Sequence, residues 1–440
     1  MRARVLVLAA AIAAVAAVVA SGRIEATAPA APAVYVAEVI PAAQPLACPG
    51  PVIIPVGAIE SGDPTLDSGS DERAYQPLGA DPAAAGEGYL VRAEVGASIE
   101  RVGSGDIAGL AATACAAPVH DQWLVGGSTS LGSSSRLVLT NPTDTSSEVT
   151  VTYYGPLGPI EERSVVSVAA GGQEDLLVEG VVAEVPALVL HVVATGAGVS
   201  AHLQDSRLAG FQAAGTDWVA AGAEPGARLV VPGIGTAGDA TATLRIMAPE
   251  GATADLSLVG DDGVVAWGGV SSLALEPGVV TEVAVPAIAS GAVDISADGP
   301  VVAAAMTRVP RAVVDGPQDA LAYDLAWTAA QDVSDGMART VLATDHVSAV
   351  AVQADAAGLF ELTDADGAVV ASRQLAAGAT ATIPLEVRAG TELTAAGLFA
   401  WTLQAADAPG FVATIAPRRT ALEPLQVLVG QTPYVGVDAP

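Results

Sequence analysis

The sequence contains no lysine: all 18 basic residues are arginines, set against 48 Asp plus Glu, for a formal net charge of −30. Such a balance excludes a phosphate-backbone binder, which needs clustered cations. It disfavours anionic lipid headgroups on the same ground. Histidine is scarce as well, with only His120, His191, His202 and His346. No HExxH, GxSxG or SxxK motif occurs, so no nucleophile comes with a positioned base. The Gly/Ser-rich run "GSTSLGSSSR" (127–136) lacks the lysine of a phosphate loop and reads as a connector into the strand "RLVLTN". The expectation is a chain with no catalytic residue and no cofactor, hence no enzyme. Aromatics are 4% of the chain, and the 51% apolar content is mostly Ala and Val; with 47 Gly and 29 Pro this composition favours short strands and turns over long helices.

Cysteine is nearly absent too. Two residues, Cys48 and Cys115, lack a CxxC spacing, so in an exported chain they are read as one structural disulfide. Export is indicated by "MRAR" followed by sixteen uncharged apolar residues from Val5 to Ala20, then "SGRIEA". This pattern fits a signal peptide or a signal anchor over 1–20, with the N-terminus inside and the rest extracytoplasmic. The chain is then secreted, or held at the membrane only by that segment. A lipobox cysteine and a sortase motif are both missing.

What is present is a repeat. "VTVTYYGPLGPI" (149–160), "ADLSLVGDDGVV" (254–265) and "LFELTDADGAVV" (359–370) each alternate apolar positions around a turn, and their glycines Gly158, Gly263 and Gly367 are 105 and 104 residues apart. Gly171, Gly278 and Gly378 recur at 107 and 100, and Trp123, Trp218 and Trp327 at 95 and 109. Three further segments, 191–204, 294–307 and 402–415, read as strand, tight turn, strand. Units of this length with turn signals every few residues predict an all-β protein of tandem immunoglobulin-like β-sandwich domains. The predicted order is an Ala/Pro linker (21–33), an irregular β unit closed by the disulfide (34–117), Ig-like domains at 118–217, 218–325 and 326–417, and a tail (418–440). The stretch 60–88 reads as a long acidic loop. Four units in line would make a rod of roughly 120–160 Å. Within "TDADGAV" (363–369) the two aspartates resemble the start of a calcium loop. The first repeat has "GPLG" there and no downstream acid follows Gly367, so a turn is expected and no metal.

Two constellations remain. If Gly196-Ala197 form a two-residue turn, His191 and His202 face each other across a hairpin and could share a metal ion. The segment "LQDSRLAGFQAAGTDWV" (203–219) concentrates Gln204, Asp205, Ser206, Arg207, Asp217 and Trp218 at the first junction. Either Arg207 pairs with Asp205 or Asp217 while Trp218 wedges two domains apart, or the six residues form a recognition patch. Arg308 is expected to repeat the part of Arg207 at the end of the second unit.

"VGGSTSLGSSSRLVLTNP", "LQDSR" and "GTDWV" resemble the actinobacterial secreted family labelled domain of unknown function 5719. The resemblance covers roughly 45–420 and is strongest up to Trp218. It implies an exported, envelope-associated protein and brings no activity or site. The expected function is a non-enzymatic structural or interaction protein of the cell envelope, with an envelope protein or polysaccharide as partner. The alternative is a glycan-binding accessory protein using Tyr153, Tyr154 or Trp218 as an aromatic platform.

Overall fold

A computed structural model describes residues 34–39, 45–53, 70–75, 83–91, 96–210, 212–311, 322–333, 336–407, 410–420 and 425–430. The expected signal or anchor segment (1–20) and linker (21–33) lie outside the described residues. Contacts divide the chain into two compact units, Met1–Ala42 with Leu422–Pro440, and Ala43–Ala421. In the former, Val34–Val39 pairs antiparallel with Leu425–Gly430. These strands therefore leave the regions to which the sequence assigns them, because an edge finds its ladder partner at the far end of the chain.

Within Ala43–Ala421 every described element is a strand, apart from the single turns Gly105–Ile107 and Val178–Gly180. The first sandwich packs the sheet containing Asp121–Val125, Ser147–Gly155, Gly158–Val168 and Val189–Ala194 on a second sheet built from Ser133–Thr140, Gln173–Leu177, Ser200–Ala209 and Gln212–Ala220. Alternation does the sorting: in "SEVTVTYYG" the residues Val149, Val151 and Tyr153 face a core with Leu137, Leu139 and Leu190. The third packs a five-stranded sheet on a four-stranded one. In the second, one long strand runs through both halves of an eight-stranded sheet that encloses its own core. Before them, Leu46–Cys48 and Ser98–Ser104 belong to two three-stranded sheets. Within the stretch read as an acidic loop, Ser70–Tyr75 and Ala83–Ala85 are strands, and 60–69 and 76–82 lie outside the described residues.

The repeated turns are glycine-dependent, as expected. Gly367 has φ of +79°, and the Asp364 carboxylate accepts from the backbone N–H groups of Asp366 and Ala368 at 3.0 and 2.9 Å. The calcium-like stretch is an Asx-type turn. Two of the three expected hairpins are something else. The turn at Gly196-Ala197 carries the chain from one sheet of the first sandwich to the other. Through "ADGP" the strand Gly291–Arg311 continues for 21 residues, pairing with Ala252–Gly260 early and with Thr241–Met247 late. In both cases the turn signal marks a transfer between sheets. Local sequence cannot distinguish that from a hairpin.

The units are not arranged in a line. Four hairpins define their arrangement: β1 (Ser98–Ser104) with β2 (Gly109–Ala114), β3 (Ser200–Ala209) with β4 (Gln212–Ala220), β5 (Gly291–Arg311) with β6 (Ala322–Ala329), and β7 (Phe399–Asp407) with β8 (Phe411–Ile415). Strand β2 packs on β4, β4 on β6, β6 on β8, and β8 returns to β2. The ring closes. The rod expected from the repeat is replaced by four units gathered around a shared hub. It also follows that β4, with Trp218, completes the first sandwich, and β6, with Trp327, completes the second.

The disulfide joins Cys48 to Cys115, both buried, just beyond the end of β2. Replacing both cysteines by serine should lower stability by roughly 4 kcal/mol for a bridge across 67 residues, read as a shift in the urea midpoint.

Candidate functional site

The hub is held by two buried carboxylates. Asp217 on β4 accepts from the N–H of Ala112 on β2 at 3.2 Å and of Trp327 on β6 at 2.7 Å. Asp324 on β6 accepts from Leu110 on β2 at 3.2 Å and Val412 on β8 at 2.8 Å. Each therefore ties two foreign strands to its own, with main-chain donors that no ladder satisfies. Burial raises both pKa values, that of Asp324 to about 8. Close approach of the strands requires glycine: a Cβ on Gly109 would lie 2.5 Å from Thr216 N, and one on Gly215 the same distance from Leu325 N.

The six junction residues are spent on these joints. Asp205, wholly buried, accepts from Trp327 Nε1 at 2.9 Å and from Arg207 Nε at 3.1 Å. Asp205 is thus the partner of Arg207, and it reaches the second sandwich at the same time. Ser206 accepts from Gln204 Nε2 at 2.9 Å and from Thr216 Oγ1 at 3.1 Å. Gln204 Oε1 accepts from Arg136 NH2 at 2.9 Å and from Ile53 N at 3.2 Å. Trp218 is 1% exposed, packed with Val52, Ile107, Ala111 and Val138. It is a wedge, but between the first sandwich and the N-terminal unit. The place expected for it, between first and second sandwiches, belongs to Trp327, which joins the first core beside Met247, Val302 and Ala304. Arg308 does not repeat Arg207: its guanidinium lies 3.6 Å from the centroid of the Tyr323 ring.

Two residues that sequence reasoning passed over matter as much. Arg136, 1% exposed, also donates to Asp175 and to Pro51 O, both at 2.5 Å. Arg245, equally buried, donates to Gly127 O at 2.7 Å, Leu188 O at 2.9 Å and Glu282 at 2.8 Å, with its guanidinium 5.0 Å from the Trp327 ring. The available signal was a lone arginine inside an apolar strand, in "SRLVLT" and "TLRIMA".

The candidate histidine pair does not form. His191 lies in one sheet of the first sandwich, stacked 3.9 Å over Trp123 and bonded to Asp121 at 2.9 Å. His202 lies in the opposite sheet, fully buried, donating from Nε2 to Ala114 O at 3.3 Å, with its pKa lowered to about 4 by burial. The reason is the inter-sheet turn. No cluster of three potential ligands occurs among the described residues. The glycan platform fares no better. Tyr153 is a core residue bonded to Ser164, Trp218 is buried, and Tyr154 is half-buried against Trp123.

The open chemistry sits where the hub strands exit. A cleft of about 440 Å³ is lined by the residues after β2 (Ala116–Val119), after β4 (Ala221–Glu224) and after β8 (Ala416–Arg419), with Trp123 and His202. A neighbouring pocket of about 200 Å³ adds the exit of β6, Ala330–Asp332. All four units thus contribute to one end of the ring.

Fold and hub define the class: an all-β, disulfide-bonded assembly of Ig-like β-sandwich units around a strand ring. The chain belongs to the family described as "Family of unknown function (DUF5719)", whose model matches residues 78–388. No curated protein matches it. Among solved structures it is similar to a "Biofilm associated protein - BSP domain" at 10% identity, covering 74% of this chain and 64% of that one, with a TM-score of 0.15. The chain therefore spans less than two thirds of that structure's length.

Proposed function

We propose that the chain is a non-enzymatic, extracytoplasmic structural or interaction protein of the cell envelope, holding four β units in one fixed arrangement. One observation carries the reading: the most chemically suggestive residues, Gln204, Asp205, Ser206, Asp217 and Trp218, are buried in joints between units. Burial of this kind fixes the relative geometry of surfaces and leaves those groups no substrate to meet. The buried Cys48–Cys115 bridge supports an oxidising compartment, as does the apolar segment at 5–20. Among the described residues no helix is long and apolar enough to cross a membrane.

The test combines fractionation with thiol alkylation. Expected is the chain, with or without residues 1–20, in the exported or envelope fraction, with cysteines that react only after reduction. Free thiols on chain recovered from the cytoplasm would sink the reading. Limited proteolysis of the exported chain should leave one resistant core near 43–421, because the four units share the hub. Separate fragments of about 100 residues would contradict the fixed arrangement.

A further inference from the structure

The cleft at the strand exits contains a charge without a counter-charge. Arg418 lines it, half-buried, and its side chain forms no hydrogen bond or ion pair among the described residues. Burial is the one influence on its pKa, and it pulls that value below the ordinary arginine range. The other charges of the wall are committed or at the rim. Arg419 donates to Phe399 O at 2.6 Å, Asp121 holds His191 at 2.9 Å, and Glu224 is exposed. A guanidinium partly screened from water with no anion beside it gains from an anion that enters the cleft. In a chain of net charge −30 nothing electrostatic prevented an acid from being placed there.

The deep wall adds a second observation. His202 lines the same cleft and is 1% exposed. Its Nε2–H is used on Ala114 O, which leaves Nδ1 as a lone-pair acceptor, and that atom is buried without a partner. The remaining lining is small and apolar, from Ala116, Ala117, Ala220, Ala221 and Pro417. A volume of about 440 Å³ falls in the range of small-molecule sites.

We infer that this cleft binds a monoanionic carboxylate on a small apolar body that also carries an N–H group, the chemistry of an acylated amino acid or the C-terminal end of a peptide. Arg418 takes the carboxylate as a fork, His202 takes the N–H, and the alanine walls admit the short side chain. A dianion such as phosphate fits less well, because Asp121 and Glu224 stand at the same opening and a single guanidinium must balance it. Both sources share this recognition. A free acylated residue ends inside the cleft, whereas a peptide end would run out past Glu224. This site is independent of the scaffold reading and can fail without it.

Trp123 in the wall serves as the fluorescent reporter in the whole chain. Titration with N-acetyl-L-alanine should give a saturable response with Kd on the order of millimolar, as fits so small a ligand. N-acetyl-L-alanine amide, which lacks the charge, should give none. Propionate, which lacks the N–H, should bind more weakly. Arg418→Gln should weaken N-acetyl-L-alanine binding by about 10- to 100-fold with an unchanged or raised melting temperature. The melting temperature separates lost binding from lost fold. N-acetyl-Ala-Ala binding more tightly than N-acetyl-L-alanine assigns the source to peptide ends; equal binding assigns it to free acylated residues. No saturable response, equal response to the amide, or Arg418→Gln binding as wild type would overturn the proposal. Propionate binding as tightly as N-acetyl-L-alanine would remove His202 from it, and Arg418-dependent binding of inorganic phosphate alone would overturn the carboxylate class.

Discussion

Gly215→Ala should destabilise the chain by about 2–5 kcal/mol, although it adds one methyl group. Gly215 lies on β4 where that strand crosses β6, with φ of +107°. The added Cβ would lie 2.5 Å from Leu325 N and 2.9 Å from Asp324 Cα. Those are main-chain atoms, held in register by the β5–β6 ladder from Ala304↔Ala329 to Arg311↔Ala322, so they cannot swing aside. Overpacking of a fixed neighbour costs about 1–3 kcal/mol, and the unfavourable backbone region adds about 1–2 kcal/mol. Gly171→Ala is the control. Its φ is +65° but nothing lies within 4 Å of the new Cβ, so only the backbone cost of about 1–2 kcal/mol applies. Urea denaturation of both variants decides the matter. If Gly215→Ala lands within about 1 kcal/mol of Gly171→Ala, the strand ring is not as tight as described.

The second large effect depends on pH and on Asp324. Its carboxyl is buried in the hub, where burial raises the pKa from 3.8 to about 8, opposed by N–H groups from Val412, Leu110 and Leu325 and by Arg311. The folded state therefore holds the proton more tightly than the unfolded chain does. Its contribution to stability is fully present below pH about 4 and is lost as pH rises through the folded pKa near 8. Across that window the loss runs at up to about 1.4 kcal/mol per pH unit, which amounts to several kcal/mol. Asp217, shifted in the same direction, adds to the slope. Asp324→Asn keeps the shape and an acceptor for Leu110 and Val412 but cannot ionise. The variant should match wild type near pH 4 and exceed it by several kcal/mol near pH 9. The readout is the difference between the two stability curves, because other carboxylates cancel in it. A constant difference across pH would show that Asp324 does not hold its proton into the neutral range.

The class of the fold was legible in one dimension. Strand alternation in "SEVTVTYYG" and "LFELT", turn glycines recurring near 105 residues, and the scarcity of long helical patterns all act between near neighbours, and each led to the right element. The disulfide was legible because two cysteines allow one pairing. "LQDSR" and "GTDWV" stood out because polar groups and a tryptophan inside apolar strands need partners, although the sequence could not name them. Asp205 and Arg207, two residues apart on one strand face, were the exception.

Everything that joins the units needed the tertiary structure. That Gly196-Ala197 changes sheets, which separates His191 from His202, depends on which ladder each strand enters, and ladders form between distant segments. The ring of β2, β4, β6 and β8 rests on Asp217 and Asp324 reaching main-chain donors 105 and 214 residues away. A repeat of this length is equally compatible with units in a line and units in a ring, since the same sandwiches form either way. The ring is selected by partners that meet only at the strand crossings, among them the buried Asp217 and Asp324 carboxyls that accept from N–H groups outside the ladders.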